Sequence, residues 1–267
     1  MSRIESCLAA LAKANKKALV PYIAAGDPDV ETTLELLHGL VESGADIIEI
    51  GIPFSDPMAD GPVIQHAYER ALEKGINLDH VLELVAQFRQ SNQNTPIVLM
   101  GYLNTIEAIG SSEFVEKTKA AGVDGYIVVD LPPEEAEELS ALCKAQDLNL
   151  IFLIAPTTSQ ERIELIASQA SGYLYYVSLR GVTGASNLNP EEVASKIQTI
   201  KSVTDLPITV GFGIKDAETA ATVAAVSDGV VVGSALVSQI EQLAQDKPKL
   251  LESVGATVAA MRAGIDA

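Results

Sequence analysis

Residues 47–62 read Ile47-Ile48-Glu49-Ile50-Gly51-Ile52-Pro53-Phe54-Ser55-Asp56-Pro57-Met58-Ala59-Asp60-Gly61-Pro62, and they contain the unit from which the chain is built. A short β-branched run ends at a glycine, and a loop rich in proline and aspartate follows. A helical pattern then begins at Pro62, and proline is favoured at the first position of a helix. The stretch therefore predicts a strand, a loop and a helix in succession.

The same unit recurs along the whole chain. The strand candidates are continuously apolar, which indicates burial on both faces, as in a parallel sheet covered by helices. They are Ala18–Ala24, Ile47–Gly51, Ile97–Gly101, Gly125–Val129, Leu150–Ile154, Tyr173–Ser178, Ile208–Gly211 and Gly229–Val232. Apolar spacing near the helical period predicts helices that include Thr32–Val41, Pro62–Leu72, Asp79–Phe88, Pro133–Cys143, Gln160–Ala167 and Glu191–Ile200.

Eight strands that alternate with helices favour an α/β fold of the closed (β/α)8 type, the TIM barrel. An open doubly wound sheet is the alternative, but eight even units leave no residues for a second domain. No linker or low-complexity tract interrupts the sequence, so we expect a single domain over residues 1–267. The functional site of such a barrel lies on the loops at the C-terminal ends of the strands.

The charge balance excludes several classes of partner. The chain has 267 residues, of which 48% are hydrophobic, and its net charge of −18 would repel nucleic acid and anionic membranes. A bound phosphate would therefore have to be held by local backbone N–H groups. Two cysteines form no disulfide framework, and no apolar run is long enough to span a membrane, so we expect a cytoplasmic protein.

Two carboxylates are the candidates for acid/base chemistry. Glu49 interrupts a strand whose faces are both buried, and burial would raise its pKa toward roughly 6–7, which suits a general acid/base. A structural carboxylate bonded to a neighbouring group is the alternative. Asp60 lies in an Asp-Gly-Pro turn, which by itself indicates a helix entry. Its closeness to Glu49 around one strand end suggests instead two carboxylates with divided roles.

Glycine motifs and apolar residues complete the predicted site. Gly211-Phe212-Gly213 and Gly233-Ser234 end the last two strands, where barrels of this type bind phosphate, although simple tight turns would look the same. Gly184 lies in a further glycine-containing loop. The expected apolar lining would suit a flat ligand body, or under the alternative would be barrel core; it comprises Tyr22, Met100, Tyr102, Ile127, Val129, Leu153, Tyr175 and Phe212.

Several residue types are missing where particular reactions would need them, and this limits the reactions that the site could carry out. No lysine lies within a strand candidate, so a Schiff-base aldolase lacks its nucleophile. The three histidines fall in helical patterns, which argues against a catalytic metal, and no dinucleotide fingerprint is present. We therefore expect carboxylate acid/base chemistry on a phosphorylated, apolar substrate, without metal or cofactor in this chain.

The ordered motifs resemble those of the tryptophan synthase alpha chain family across essentially the whole length. Besides residues 49–62, they are Pro21–Pro28, Met100–Asn104, Asp130–Pro132, Ala155–Thr158, Gly181–Gly184, Gly211–Ile214 and Gly233–Ser234. The resemblance implies a carbon–carbon lyase that cleaves indole-3-glycerol phosphate to indole and glyceraldehyde 3-phosphate. Tyr22 and Met100 stand where many relatives have Phe and Leu, a mild departure that keeps an indole pocket.

The resemblance also implies roles for individual residues. Glu49 resembles the family's general acid/base, and Asp60 the carboxylate that pairs with the indole N–H. Tyr175 resembles a residue beside the catalytic glutamate, and Thr183 a lid residue that closes onto Asp60. Four positions resemble the family's phosphate-binding residues: Gly184, Gly213, Gly233 and Ser234.

The partner expected from the resemblance is a pyridoxal-phosphate-dependent beta chain that receives indole in an α2β2 assembly. The loop that contains Pro53 and Asp56 resembles the family's partner-facing surface. Three alternatives stay open on the sequence: a stand-alone lyase that releases free indole, a phosphoribosyl isomerase on the same fold, and a phosphate-binding barrel without activity.

Overall fold

Eight parallel strands close into a barrel in the part of the chain that the structure describes, which is residues 1–178, 190–211 and 213–267 of a computed structural model. The strands are β1 (Ala18–Ala24), β2 (Ile48–Gly51), β3 (Ile97–Gly101), β4 (Gly125–Val128), β5 (Asn149–Ile154), β6 (Leu174–Val177), β7 (Ile208–Gly211) and β8 (Gly229–Val232). Each strand pairs with the next, and β8 pairs with β1. The predicted (β/α)8 barrel is confirmed, and the open sheet is excluded.

Helices surround this barrel. They are α1 (Arg3–Lys13), α2 (Val30–Glu42), α3 (Pro62–Glu73), α4 (Leu78–Arg89), α5 (Leu103–Glu107), α6 (Ser111–Ala121), α7 (Glu137–Ala145), α8 (Gln160–Gln169), α9 (Pro190–Lys201), α10 (Ala217–Ala224), α11 (Ser234–Leu243) and α12 (Lys247–Asp266). Of the helices in these described ranges, none is long and apolar enough to cross a membrane.

The helices depart from the expected even alternation. An extra helix, α1, precedes β1, and two helices follow each of β2, β3 and β8. The single helix predicted over Pro133–Cys143 is instead a 3-10 turn, Pro133–Glu135, followed by α7. The strand predictions are closer: β1, β3, β7 and β8 have the predicted bounds, because a buried strand of a parallel barrel is a compact apolar run with a clear end.

Local capping explains where the helices begin. The Asp29 side chain accepts a hydrogen bond from the Thr32 N–H at 2.7 Å at the start of α2. The Asn77 side chain does the same for the His80 N–H at 3.2 Å at the start of α4. These N–H groups have no partner inside the helix, so an acceptor in the preceding loop stabilises the helix start by about 1 kcal/mol.

Helix α1 closes the N-terminal mouth of the barrel. Ile4 and Leu8 are buried in one apolar cluster with inward-facing strand residues such as Val98, Ile127 and Ile151. The Ser2 hydroxyl donates to the Asn149 side chain at 2.6 Å and holds the start of α1 against β5. Because apolar side chains fill this half of the described interior, the space for a ligand lies toward the C-terminal ends of the strands.

A buried ion-pair network ties the outer layer to the strands. Asp124, which is 4% exposed, precedes β4 and pairs with Arg89 at 2.7 Å and with Arg3 at 2.8 Å. It also accepts the Ile97 N–H at 2.8 Å at the start of β3. One carboxylate therefore links α1, α4, β3 and β4, and both of its oxygens have partners.

We expect Asp124→Ala to destabilise the fold strongly, by about 3 kcal/mol or more, because it leaves the Arg89 guanidinium buried without its counter-charge. Urea denaturation monitored by circular dichroism measures this loss. Glu113→Ala is the control, since it removes an exposed ion pair with Lys117 at 2.9 Å and should leave the unfolding midpoint unchanged. Equal midpoints for the two variants would show that the Asp124 network does not stabilise the fold.

Candidate active site

Glu49 is a fully buried ionisable group in the wall of the barrel. It lies on β2, in register with Tyr22 on β1 and Val98 on β3, and its side chain is 0% exposed. The Tyr173 hydroxyl, which comes immediately before β6, donates to Glu49 Oε1 at 2.7 Å. The other carboxyl oxygen, Oε2, is buried and has no hydrogen-bond partner among the described residues.

Burial raises the pKa of Glu49 from its ordinary value of 4.5 to about 8, although the hydrogen bond from Tyr173 acts in the opposite direction. This pKa is above the roughly 6–7 expected from the sequence. At neutral pH the protonated form predominates, so the free oxygen can carry a proton. Glu49 is therefore able to act first as an acid and then as a base within one reaction.

Asp60 lies on the loop between β2 and α3, in a different setting. Its side chain accepts a hydrogen bond from the Tyr102 hydroxyl at 2.7 Å, and the same hydroxyl accepts the Ala59 N–H at 3.0 Å. Burial raises the pKa of Asp60, and the bond from Tyr102 lowers it. The Tyr102 ring also stacks on Phe54, with centroids 5.0 Å apart. Tyr102 thus fixes the carboxylate and favours its ionised form.

A cavity of about 470 Å³ opens beside Asp60. Besides Asp60, four of the residues predicted as its apolar lining do line it: Met100, Val129, Leu153 and Tyr175. Burial raises the pKa of Tyr175, and the charges of Glu49 and Asp60 raise it further, so Tyr175 lies within electrostatic range of both carboxylates. An apolar cavity with a few convergent polar groups is typical of a small-molecule site.

Three of the predicted lining residues, Tyr22, Tyr102 and Ile127, are not among the described residues that line this cavity, and Tyr102 instead holds Asp60 at its edge. Ile127 is 1% exposed and packs deeper in the barrel with Val98 and Ile151. Tyr22 is 4% exposed, and its hydroxyl lies 2.7 Å from that of Tyr68. Thr183, Gly184 and Phe212 lie outside the described residues.

Two glycines make room for tyrosine hydroxyls. A Cβ added to Gly211 would lie 2.0 Å from the Tyr175 hydroxyl, and one added to Gly51 would lie 2.1 Å from the Tyr22 hydroxyl. Heavy atoms that are not bonded to each other do not approach this closely. Glycine at these strand ends is therefore a packing requirement of the site, in addition to any freedom it allows the loops.

The expected phosphate-binding positions lie at the ends of neighbouring strands. Gly213 follows β7 with φ +79°, a conformation that favours glycine. Gly233 is the N-cap of α11, and Ser234 is its first residue. Since β7 and β8 are paired, both positions are at the same end of the barrel. The first-turn N–H groups of α11 are suited to an anion.

Sequence reasoning missed Tyr173 as a partner of Glu49. The signal was present, because side chains two residues apart in a strand point to the same side and Tyr175 had already been placed in the site. Tyr68 was missed because it falls on the apolar side of α3 with Ile64 and Ala67, where an aromatic residue indicates core. Within residues 1–178, 190–211 and 213–267, no three His, Cys, Asp or Glu side chains are grouped as a metal site would require.

We expect Tyr173→Phe to raise the pKa of Glu49 further above its ordinary value. The Tyr173 hydroxyl donates to the carboxylate and so favours the charged form, and its removal leaves the effect of burial unopposed. Infrared difference spectroscopy across a pH titration measures the carboxyl group directly, and Glu49→Gln identifies its band.

Tyr126→Phe is the matched control for this titration. It also removes a buried phenol hydroxyl, one bonded to Thr118 in the outer layer, and should leave the Glu49 band unchanged. If the pKa of Glu49 is the same in Tyr173→Phe and in the wild type, the hydrogen bond does not control its ionisation.

Comparison with known proteins agrees with this geometry. The sequence profile of the tryptophan synthase alpha chain family matches residues 8–266. A tryptophan synthase alpha chain from Nitrosococcus oceani is 54% identical over 268 residues, which cover 100% of this chain and 98% of the relative. One from Chromobacterium violaceum is 56% identical over 265 residues, covering 99% of this chain and 100% of the relative.

Solved structures give the same result. The alpha subunit of tryptophan synthase from Legionella pneumophila superposes with a TM-score of 0.93 at 49% identity, covering 100% of this chain and 99% of that one. A chain of tryptophan synthase from M. tuberculosis, in its aminoacrylate-bound form, superposes with a TM-score of 0.87 at 33% identity, covering 99% and 100%. The protein therefore belongs to the tryptophan synthase alpha chain family.

Proposed function

We propose that Glu49 and Asp60 carry out the reaction of this family, the reversible cleavage of indole-3-glycerol phosphate to indole and glyceraldehyde 3-phosphate. The observation that carries the proposal is the difference between the two carboxyl groups. Glu49 is fully buried, is held through one oxygen and has the other free, whereas Asp60 borders the cavity and is held by Tyr102. Two carboxyl groups in unlike environments can take unlike roles at one pH.

Glu49 supplies and then recovers a proton in this proposal. Its protonated form donates to C3 of the indole ring, which makes the ring cationic and weakens the bond between C3 and the glycerol chain. The resulting carboxylate removes the proton of the adjacent chain hydroxyl, whose carbon becomes the aldehyde. The electron pair of the broken bond returns to the ring, so Glu49 ends protonated. The raised pKa of about 8 suits a group that must both donate and accept a proton.

Asp60 stabilises the intermediate charge. Positive charge on the protonated ring reaches the ring N–H, and an ionised carboxylate at that position stabilises it most where water is excluded. The Tyr102 hydroxyl favours the ionised form of Asp60 and fixes its direction. Tyr175 and Thr183 are proposed as supporting residues, the former because it lines the cavity within range of both carboxylates.

The phosphate group is proposed to bind at the opposite side of the cavity mouth. Gly233 and Ser234 offer backbone N–H groups and one hydroxyl at the start of α11. Gly213 offers a backbone N–H after β7, and Gly184 is proposed to add another donor. A chain with net charge −18 has no general attraction for phosphate, so these local donors would have to supply the affinity.

We expect Glu49→Gln to lower the rate of indole formation by roughly 10²–10⁴-fold while substrate still binds, because the amide cannot exchange the proton. Asp60→Asn should lower the rate by about 10²-fold through loss of the stabilising charge. Indole release from indole-3-glycerol phosphate is the measurement. The control is Glu113→Gln on α6, an exposed position that should retain wild-type turnover. Turnover near the wild-type rate in Glu49→Gln would refute the assignment.

The partner is proposed to be a tryptophan synthase beta chain that carries pyridoxal phosphate and receives indole in an α2β2 assembly, with no cofactor in the present chain. Family membership supports a synthase subunit over a stand-alone lyase that releases indole. Localisation in the cytoplasm and a single domain over residues 1–267 are part of the same proposal. The assignment to this family also argues against the isomerase considered from the sequence.

The loop that carries Asp60 is proposed as part of the partner-facing surface. Met58 is 83% exposed, which is unusual for a large apolar side chain, and Asp56 beside it is also exposed. Pro53 is buried within the chain and so contributes to the shape of the loop. The resemblance of this loop to the family's partner-facing surface supports the proposal, and Met58 offers an apolar side chain for such a contact.

We expect Met58→Lys to weaken binding of a beta chain about tenfold, because it places a charge in an apolar contact. Leu165→Lys is the matched control, since Leu165 is 37% exposed on α8 and lies outside the loop. Isothermal titration calorimetry with a purified beta chain gives both affinities. Equal affinities for the two variants would contradict the proposed surface.

A further inference from the structure

Two buried tyrosines link β1 to helix α3, next to the elements that carry the candidate catalytic carboxylates. Tyr22 on β1 and Tyr68 on α3 place their hydroxyl oxygens 2.7 Å apart, and the two residues are 4% and 1% exposed. They belong to an apolar cluster that also contains Ala24, Ile64 and Val237. Phenylalanine at both positions would fill the same space, so packing alone does not require the two hydroxyls.

The pair connects to Glu49 through the sheet. Tyr22 is in register with Glu49, so β1 and β2 are joined at this level. Gly51, two residues after Glu49 on the same strand, leaves the space that the two hydroxyls occupy. A Cβ there would lie 2.1 Å from the Tyr22 hydroxyl and 2.6 Å from the Tyr68 hydroxyl. The hydrogen bond between Tyr22 and Tyr68 therefore packs against the strand that carries Glu49.

The pair connects to Asp60 through helix α3. This helix begins at Pro62, two residues after Asp60. The Gln65 side chain, on its first turn, donates to the Asp60 carbonyl at 2.8 Å, and the Gln65 N–H donates to the Gly61 carbonyl at 3.1 Å. The position of α3 therefore determines where the Asp60 loop lies, and Tyr68 is one turn further along the same helix.

Both hydroxyls keep their protons across the working pH range. Burial raises the pKa of Tyr22 and of Tyr68 well above 10, and the charge of Asp60 raises each of them further. Glu49 adds to the effect on Tyr22. The hydrogen bond thus persists while the carboxyl groups change their charge, and the pair lies within electrostatic range of both.

We propose that the hydrogen bond between Tyr22 and Tyr68 positions Glu49 and Asp60 relative to each other, by holding α3 and the Asp60 loop against the β1–β2 strand pair. The inference rests on the proposed function, in which the two carboxylates act on one ring. Tyr22 and Tyr68 are positioning residues, because they act through the carboxylates. A small displacement of Asp60 relative to Glu49 lowers the rate of the chemical step more than it weakens substrate binding.

The test is a double-mutant cycle on the full chain with indole-3-glycerol phosphate. Tyr22→Phe and Tyr68→Phe each remove one half of the same hydrogen bond, so each should lower kcat about three- to tenfold with little change in KM. The double variant should be no slower than the slower single variant, because only one interaction is lost. Melting temperatures are recorded for every variant.

Tyr126→Phe is the matched control, since it removes a buried phenol hydrogen bond far from the carboxylates. It should lower the melting temperature without changing kcat. The proposal is overturned if both single variants keep wild-type kcat, if their losses multiply in the double variant, or if Tyr126→Phe shows the same loss of kcat. Glu49→Gln is assayed in parallel to distinguish failure of this proposal from failure of the proposed function. Full activity in that variant refutes the proposed function itself.

Discussion

The burial of one carboxyl group in the barrel wall is the constraint on which the rest of the site depends. Glu49 is removed from water on every side, which disfavours its charge and raises its pKa to about 8. The hydroxyl of Tyr173, from the opposite side of the barrel, holds one oxygen at 2.7 Å and leaves the other free. A carboxyl group with one fixed and one available oxygen results from this arrangement, as the proposed proton transfer requires.

The two ends of the barrel interior differ: one is filled by apolar side chains, and the other holds the cavity. At the N-terminal end of the strands α1 closes the mouth, and apolar side chains such as Val98 and Ile151 pack in one cluster with Ile4 and Leu8. On the strands themselves, Gly51 and Gly211 carry no side chain, and tyrosine hydroxyls occupy the space that a side chain would fill. The cavity opens at the other end, beside Asp60. The apolar end can be packed for stability without restricting the ligand.

The two carboxylates differ in how rigidly they are held. Glu49 belongs to a strand whose backbone is bonded on both sides, so its position is set by the sheet. Asp60 belongs to a loop, and its position depends on side-chain bonds from Tyr102 and Gln65. The link between Tyr22 and Tyr68 connects these two environments. The same loop carries the exposed Met58, so the proposed partner surface and the proposed site share one element.

The sequence by itself was sufficient to predict the strands, the (β/α)8 class and the unusual position of Glu49. Apolar runs, turn residues and an acid in a buried strand are local properties, and burial acts on them wherever the strand packs. The contacts that define the site were decided by the tertiary structure. Tyr173 is 124 residues from Glu49 in the chain, and Tyr68 meets Tyr22 across a helix and a strand. Such contacts depend on barrel closure and strand register, which bring together side chains whose spacing in the sequence carries no period.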